Sequence, residues 1–109
     1  MKAKRAPIHP GEHLAEDFMV PFGLSARKLA RALYVPANRI SAIVAGKRAV
    51  TPDTALRLAK YFGTTAEFWM NLQKNYEIQL AEDEARDSRS KLHGELAAIE
   101  PISAASRRA

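Results

Sequence analysis

What most limits the fold of this chain is the recurrence of apolar residues at steps of three and four, cut into short lengths by proline and glycine. No stretch alternates apolar and polar residues for long enough to argue for a strand, so the spacing predicts an all-α domain. A first helix is expected from Pro10 to Met19, with proline allowed in its first turn and Pro21 and Gly23 marking its end. Ser25 is a suitable N-cap for a second helix through Leu33, and Pro36 can open a third that runs to Ala45, where Gly46 stops it in a left-handed conformation. Thr51 and Pro52 begin a fourth, whose stripe of Ala55, Leu58, Ala59 and Phe62 faces inward, with Gly63 at its end. Thr64 or Thr65 can cap a longer fifth helix carrying Phe68, Leu72, Tyr76 and Leu80. Five helices are therefore expected in a domain covering residues 1–84, with 85–109 as an extension. That extension holds a short helix from Ser90 to Ile99, stopped by Pro101, and a flexible tail beyond it.

The segment Ser25–Arg48, SARKLARALYVPANRISAIVAGKR, has the layout of a helix-turn-helix, its unit at about residues 25–45. Ala30 is small where two steeply crossing helices need a close approach, Val35 plugs the turn, and Ile40 and Ile43 turn one face of the third helix inward. That leaves Ala37, Asn38, Arg39, Ser41, Ala42 and Ala45 on or near the outer face. A helix presented this way offers its N-terminal residues to base edges in the major groove. Asn38 suits adenine, Arg39 guanine or a phosphate, and Ser41 either a donor or an acceptor, while Ala37 and Ala42 can rest on thymine methyls. Ser25, Arg27 and Lys28 at the start of the second helix, and Lys47, Arg48 and Thr51 after Gly46, are the expected phosphate contacts.

Charge agrees with this reading. The chain carries 17 Lys+Arg and 12 Asp+Glu, a net +5. Residues 1–62 hold 11 basic and 4 acidic side chains (+7), against 6 and 8 (−2) in residues 63–109. No acid falls between Phe18 and Pro52, and one-sided charge of this kind points to a polyanion, most simply nucleic acid. At 109 residues the chain is one small domain, too short for a two-lobed enzyme with a cleft. The absence of cysteine excludes disulfides, thiolate metal sites and cysteine nucleophiles. No apolar run approaches the roughly 18 residues of a membrane span and no signal-peptide core follows the basic start, so a cytoplasmic protein is expected.

Other candidates weigh less. His9 and His13 stand four apart beside Glu12, Glu16 and Asp17, but the HExxH pattern is absent and no third ligand is obvious. His9-Pro10-Gly11 reads better as an ordered lead-in to the first helix, with neither metal nor cofactor expected. A metal-dependent hydrolase using these histidines is the least supported alternative. His93 stands alone and is expected in solvent. Phe68, Trp69, Leu72 and Tyr76 have the spacing of core or of a helix-packing seam, and they are the expected interface of a two-fold dimer reading half-sites about 34 Å apart. The run Glu82-Asp83-Glu84 suits a basic partner or plain solvation.

Three stretches, HPGEHL at His9–Leu14, LARALYVPANRISAIVAGKR at Leu29–Arg48 and TPDTALRLAKYFGTTAEFWMNLQKNYE at Thr51–Glu77, resemble the HigA family (VapI-like) of antitoxins, Cro/CI-type helix-turn-helix proteins. The resemblance implies a non-enzymatic homodimer that represses its own toxin–antitoxin operon at a palindromic operator. It also implies neutralisation of a RelE-like, HigB-type messenger-RNA endonuclease, held either by the tail or by the folded helices. A stand-alone repressor without a toxin needs the same DNA surface and is the alternative. Tyr34 departs from the usual pattern, because glycine is common at that place in the turn. A left-handed tyrosine costs of order 1 kcal/mol, so a different turn geometry is expected, with the ring packed over the hairpin.

Overall fold

The computed structural model describes residues 6–103. Six helices and no strand occur among the described residues. They are α1 (Pro10–His13), running on into a π-helical segment (Leu14–Met19), then α2 (Ala26–Leu33), α3 (Ala37–Val44), α4 (Pro52–Phe62), α5 (Ala66–Arg86) and α6 (Lys91–Ala98). The first helix thus has the expected extent, but its second half is wound more widely. The Val20 N–H donates to the Ala15 carbonyl five residues back at 2.9 Å, and Leu14 and Met19, also five apart, are both buried. Pro36 is the N-cap of α3 rather than its first residue.

The helix ends follow from local chemistry. Ser25 Oγ accepts the Lys28 N–H at 3.1 Å, Thr65 Oγ1 accepts that of Phe68 at 3.0 Å, and Ser90 Oγ accepts that of His93 at 3.0 Å. Gly46 (φ 76°) closes α3 with a pair of reverse bonds, Gly46 N–H to Ile43 O and Lys47 N–H to Ala42 O. Tyr34 closes α2 in the same way, and here the structure departs from expectation. Tyr34 is left-handed (φ 62°, ψ 42°), and its ring is 89% exposed rather than packed over the hairpin. The reason lies in the backbone. Val35 N–H reaches Ala30 O at 3.0 Å and Tyr34 N–H reaches Arg31 O at 3.2 Å, so satisfying these orphan carbonyls requires the left-handed residue.

The chain divides into two compact units between Glu77 and Ile78, within the span of α5. In the first, Leu14, Leu29, Ala30, Ile40, Ile43, Val50, Ala55, Leu58 and Trp69 are fully buried or nearly so. Trp69 stands among aromatic rings: Phe18 and Phe68 lie at centroid distances of 4.9 and 5.1 Å, and its indole N–H donates to Thr64 Oγ1 at 2.8 Å. In the second unit, Ser90 Oγ–H donates to the Glu84 carbonyl at 2.7 Å. His93, expected in solvent, is partly buried there, with Nδ1 2.7 Å from the Ala85 carbonyl. The outer part of the expected tail, residues 104–109, lies outside the described residues.

One contact ties α1 to α3 directly. Pro10 and Gly11 are buried, and a Cβ built on Gly11 overlaps the carbonyl group of Ile43. Both partners are backbone, so neither side can rotate away. Gly11→Ala is therefore expected to destabilise the domain by about 1–3 kcal/mol or more in denaturant titration. By contrast, Tyr34→Gly relieves the left-handed residue and is expected to be neutral or stabilising by up to about 1 kcal/mol in the same measurement.

Candidate nucleic-acid interface

The residues expected to face outward on α3 separate into two groups. Ala37, Asn38, Ser41 and Ala45 are exposed, opposite the buried Ile40 and Ile43, and Ala42 is half-buried. Ser41 Oγ–H donates back to the carbonyls of Ala37 (3.3 Å) and Asn38 (3.4 Å), which leaves its lone pairs outward as acceptors. Asn38 has its side-chain amide in solvent.

Arg39 belongs elsewhere. Its guanidinium donates to Asp53 Oδ2 at 2.7 Å, and its Nε is buried without a hydrogen-bond partner among the described residues. Asp53, in the first turn of α4, also accepts from Arg57 Nε at 3.0 Å, and Arg57 Nη1 donates to the Leu33 carbonyl at the end of α2 at 2.8 Å. The chain Arg39–Asp53–Arg57–Leu33 thus joins α3, α4 and α2. Expected at a guanine or a phosphate, Arg39 is held against α4 here by an acid fourteen positions along the chain. Within this network the hydrogen bond from Arg57, reinforced by Arg39, holds the Asp53 carboxyl below its ordinary pKa.

The expected phosphate contacts all lie on the surface. Ser25, Arg27 and Lys28 are exposed at the N-terminus of α2, where the Ser25 hydroxyl accepts from Lys28 N–H and keeps its own proton to donate. Lys47 and Arg48 are exposed in the loop between α3 and α4. Thr51 stands at the N-cap of α4 but makes no capping bond with its side chain, so its hydroxyl is uncommitted.

The four residues expected at a dimer seam divide as well. Trp69 is fully buried in the core of its own chain, so no partner can reach it. Leu72 is half-buried against that core, and Tyr76 meets the His9 ring edge-on at 4.9 Å. Only Phe68 is exposed. Of the two histidines considered as ligands, His9 caps α1 and His13 lies 3.2 Å from Asp17. No group of three or more His, Cys, Asp or Glu residues is placed to hold a metal among the described residues. Nor is any described helix long and apolar enough to cross a membrane.

Gly11, Asp53, Arg57 and Gln73 were not singled out by spacing, yet each positions this surface. Gln73 is buried on α5, accepts the Val50 N–H through Oε1 at 2.9 Å and donates through Nε2 to Glu77 at 2.7 Å. For Gln73, the available signal was a polar residue adjoining the apolar stripe of α5.

A capped α2, a tight turn and an α3 with one face in the core and the other in solvent define a DNA-binding helix-turn-helix domain of the Cro/CI type. The helix-turn-helix family HTH_3 matches residues 17–69. Virulence-associated protein I of Dichelobacter nodosus is 48% identical over 83 residues, 76% of this chain and 77% of that protein. Antitoxin HigA-1 of Vibrio cholerae is 32% identical over 101 residues, 93% and 89% of the two chains. The solved structure of the Pseudomonas aeruginosa antitoxin HigA with the higBA promoter superposes with a TM-score of 0.74 at 43% identity, covering 88% of this chain and 98% of that one. The chain belongs to the HigA family of helix-turn-helix antitoxins, which are DNA-binding regulators rather than enzymes.

The depressed Asp53 pKa has a testable consequence. Its contribution to stability is present above the ordinary carboxylate pKa and is lost as pH falls through the lowered folded value. In an acid titration of stability, Asp53→Asn should start below the wild type at neutral pH, and the two curves should converge in acid.

Proposed function

We propose that the protein is a homodimeric antitoxin that represses its own operon by binding an inverted repeat, and that neutralises a HigB-type messenger-RNA endonuclease encoded beside it. The observation that carries the DNA half is the solvent-facing edge of α3, Ala37, Asn38 and Ser41, on a chain 43% identical to an antitoxin solved with its promoter. In this reading Asn38 bonds an adenine edge, Ser41 accepts from a base amino group, and Ala37 and Ala42 lie on thymine methyls. Ser25, Arg27, Lys28, Lys47, Arg48 and Thr51 hold phosphates. Arg39 keeps α3 against α4 instead of reading a base.

A protein partner has a surface of its own to use. Phe22 (68% exposed), Leu56 (63%) and Tyr61 (46%) are large apolar side chains in solvent, and none belongs to the DNA set. Two adjoining grooves of about 340 and 420 Å³ share Tyr61 along this surface. A toxin held there leaves the α3 edge free, which allows one protein to both repress and neutralise.

Two experiments test the two halves. In fluorescence anisotropy with the promoter repeat, Asn38→Ala should cost about 1–3 kcal/mol at one base pair, whereas Lys47→Ala should weaken all sequences alike and reduce the salt slope by about 1. Binding indifferent to both changes overturns the placement of α3. Expressed alone, the adjacent gene should arrest growth, and co-expression of this protein should restore it. A harmless neighbour leaves a stand-alone repressor.

A further inference from the structure

The loop between α3 and α4 carries Lys47 and Arg48 outward, yet it is short of side chains that pack. What holds it comes from α1 and α5. At one end, Val50 is buried and its N–H is taken by Gln73 of α5 at 2.9 Å. At the other, the His9 ring fills the space beside Gly46, so that a side chain added there would meet ring carbons at 3.8 and 4.0 Å. The ring is held by more than its contact with Gly46. Nδ1 accepts the Gly11 N–H at 2.9 Å, which places the ring proton on Nε2, and the Arg48 backbone lies near enough to act on the ring's titration. Tyr76, one turn beyond Gln73 on α5, closes the far side of the ring edge-on at 4.9 Å. Burial lowers the pKa of His9, opposed by the Arg48 backbone and by Glu12, and so favours the neutral ring that the Gly11 N–H bond to Nδ1 requires.

Resting on the DNA-binding reading above, we propose that His9 is a positioning residue for phosphate contact: it clamps the Gly46–Arg48 backbone so that Lys47 and Arg48 are presented together to the DNA backbone. Its capping of α1 through Nδ1 and the hold of its ring on the loop are separable functions. Asparagine at position 9 can still accept from the Gly11 N–H as an N-cap, but it has no ring to place against Gly46 and Tyr76.

The test uses the full chain and labelled promoter DNA, with affinity measured across a salt series. The His9→Asn variant should retain the helical spectrum and the sequence preference conferred by α3, while its log K against log salt slope falls by about 1–2, the loss of one or two phosphate contacts. Lys47→Ala should cost less in the His9→Asn background than in the wild type. A His9→Asn variant with the wild-type salt slope, or strict additivity with Lys47→Ala, overturns the proposal and leaves His9 a cap. A second measurement is independent of any variant's folding. Nitrogen NMR of the wild type should show a neutral His9 with its proton on Nε2, and a proton on Nδ1 overturns the clamp. If the wild type binds DNA without salt dependence, this proposal falls together with the DNA-binding reading, whereas loss of the slope effect alone leaves that reading intact.

Discussion

The orientation of α3 depends on a backbone-to-backbone contact. Gly11 is buried so closely against the Ile43 carbonyl that a single methyl group would overlap it. Contacts between side chains can adjust by rotamer changes, but two main chains in van der Waals contact have no such freedom. Ile40 and Ile43 also enter the core with Leu58 and Trp69, so α3 is seated both by the α1 backbone and by the core. A helix so constrained presents Asn38 and Ser41 in one orientation, and precise presentation is what discrimination between base pairs requires.

Between Phe18 and Glu67 the electrostatics depend on one acid. Asp53 is the sole acidic residue between Phe18 and Glu67, and it engages Arg39 and Arg57. Two cations are thereby used inside the fold, joining three helices across an exposed network. Among the described residues, Arg27, Lys28, Lys47 and Arg48 form no ion pair. Their positive potential is therefore not cancelled locally, and it falls on the elements expected to meet phosphate. Had Asp53 been absent, Arg39 would stand free beside the exposed edge of α3, adding charge without the link to α4.

The helices, their caps and the inward face of α3 were legible in the sequence because each depends on neighbours within a few positions: Ser25 and Lys28, Ile40 and Ile43, Gly46 and Ile43. What escaped depends on contacts across longer separations. Arg39 looks outward on a helical wheel, and only the seating of α4 brings Asp53 within 2.7 Å. Gln73 looks like a polar residue beside an apolar stripe until the Val50 N–H arrives to be satisfied. Trp69, whose spacing suits either core or a seam, fills the core of its own chain. Tyr34 differs for another reason. Side-chain preference disfavours the left-handed turn, but through it the carbonyls of Ala30 and Arg31 gain partners, and at buried Ala30 an unpaired acceptor costs about 1–3 kcal/mol, more than the strain.

The same comparison explains why α5 does more than close the core. A buried glutamine is costly unless both ends of its amide are bonded, and Gln73 meets this by joining the Val50 backbone to Glu77. One turn on, Tyr76 backs the His9 ring. An apolar residue at 73 would leave the Val50 N–H without its acceptor, so the loop's conformation and the polarity of this α5 face require each other. The basic loop between α3 and α4 is thus as much a product of α5 and the residues preceding α1 as of its own sequence. That is why a helix-turn-helix unit alone does not account for how the exposed Lys47 and Arg48 are held.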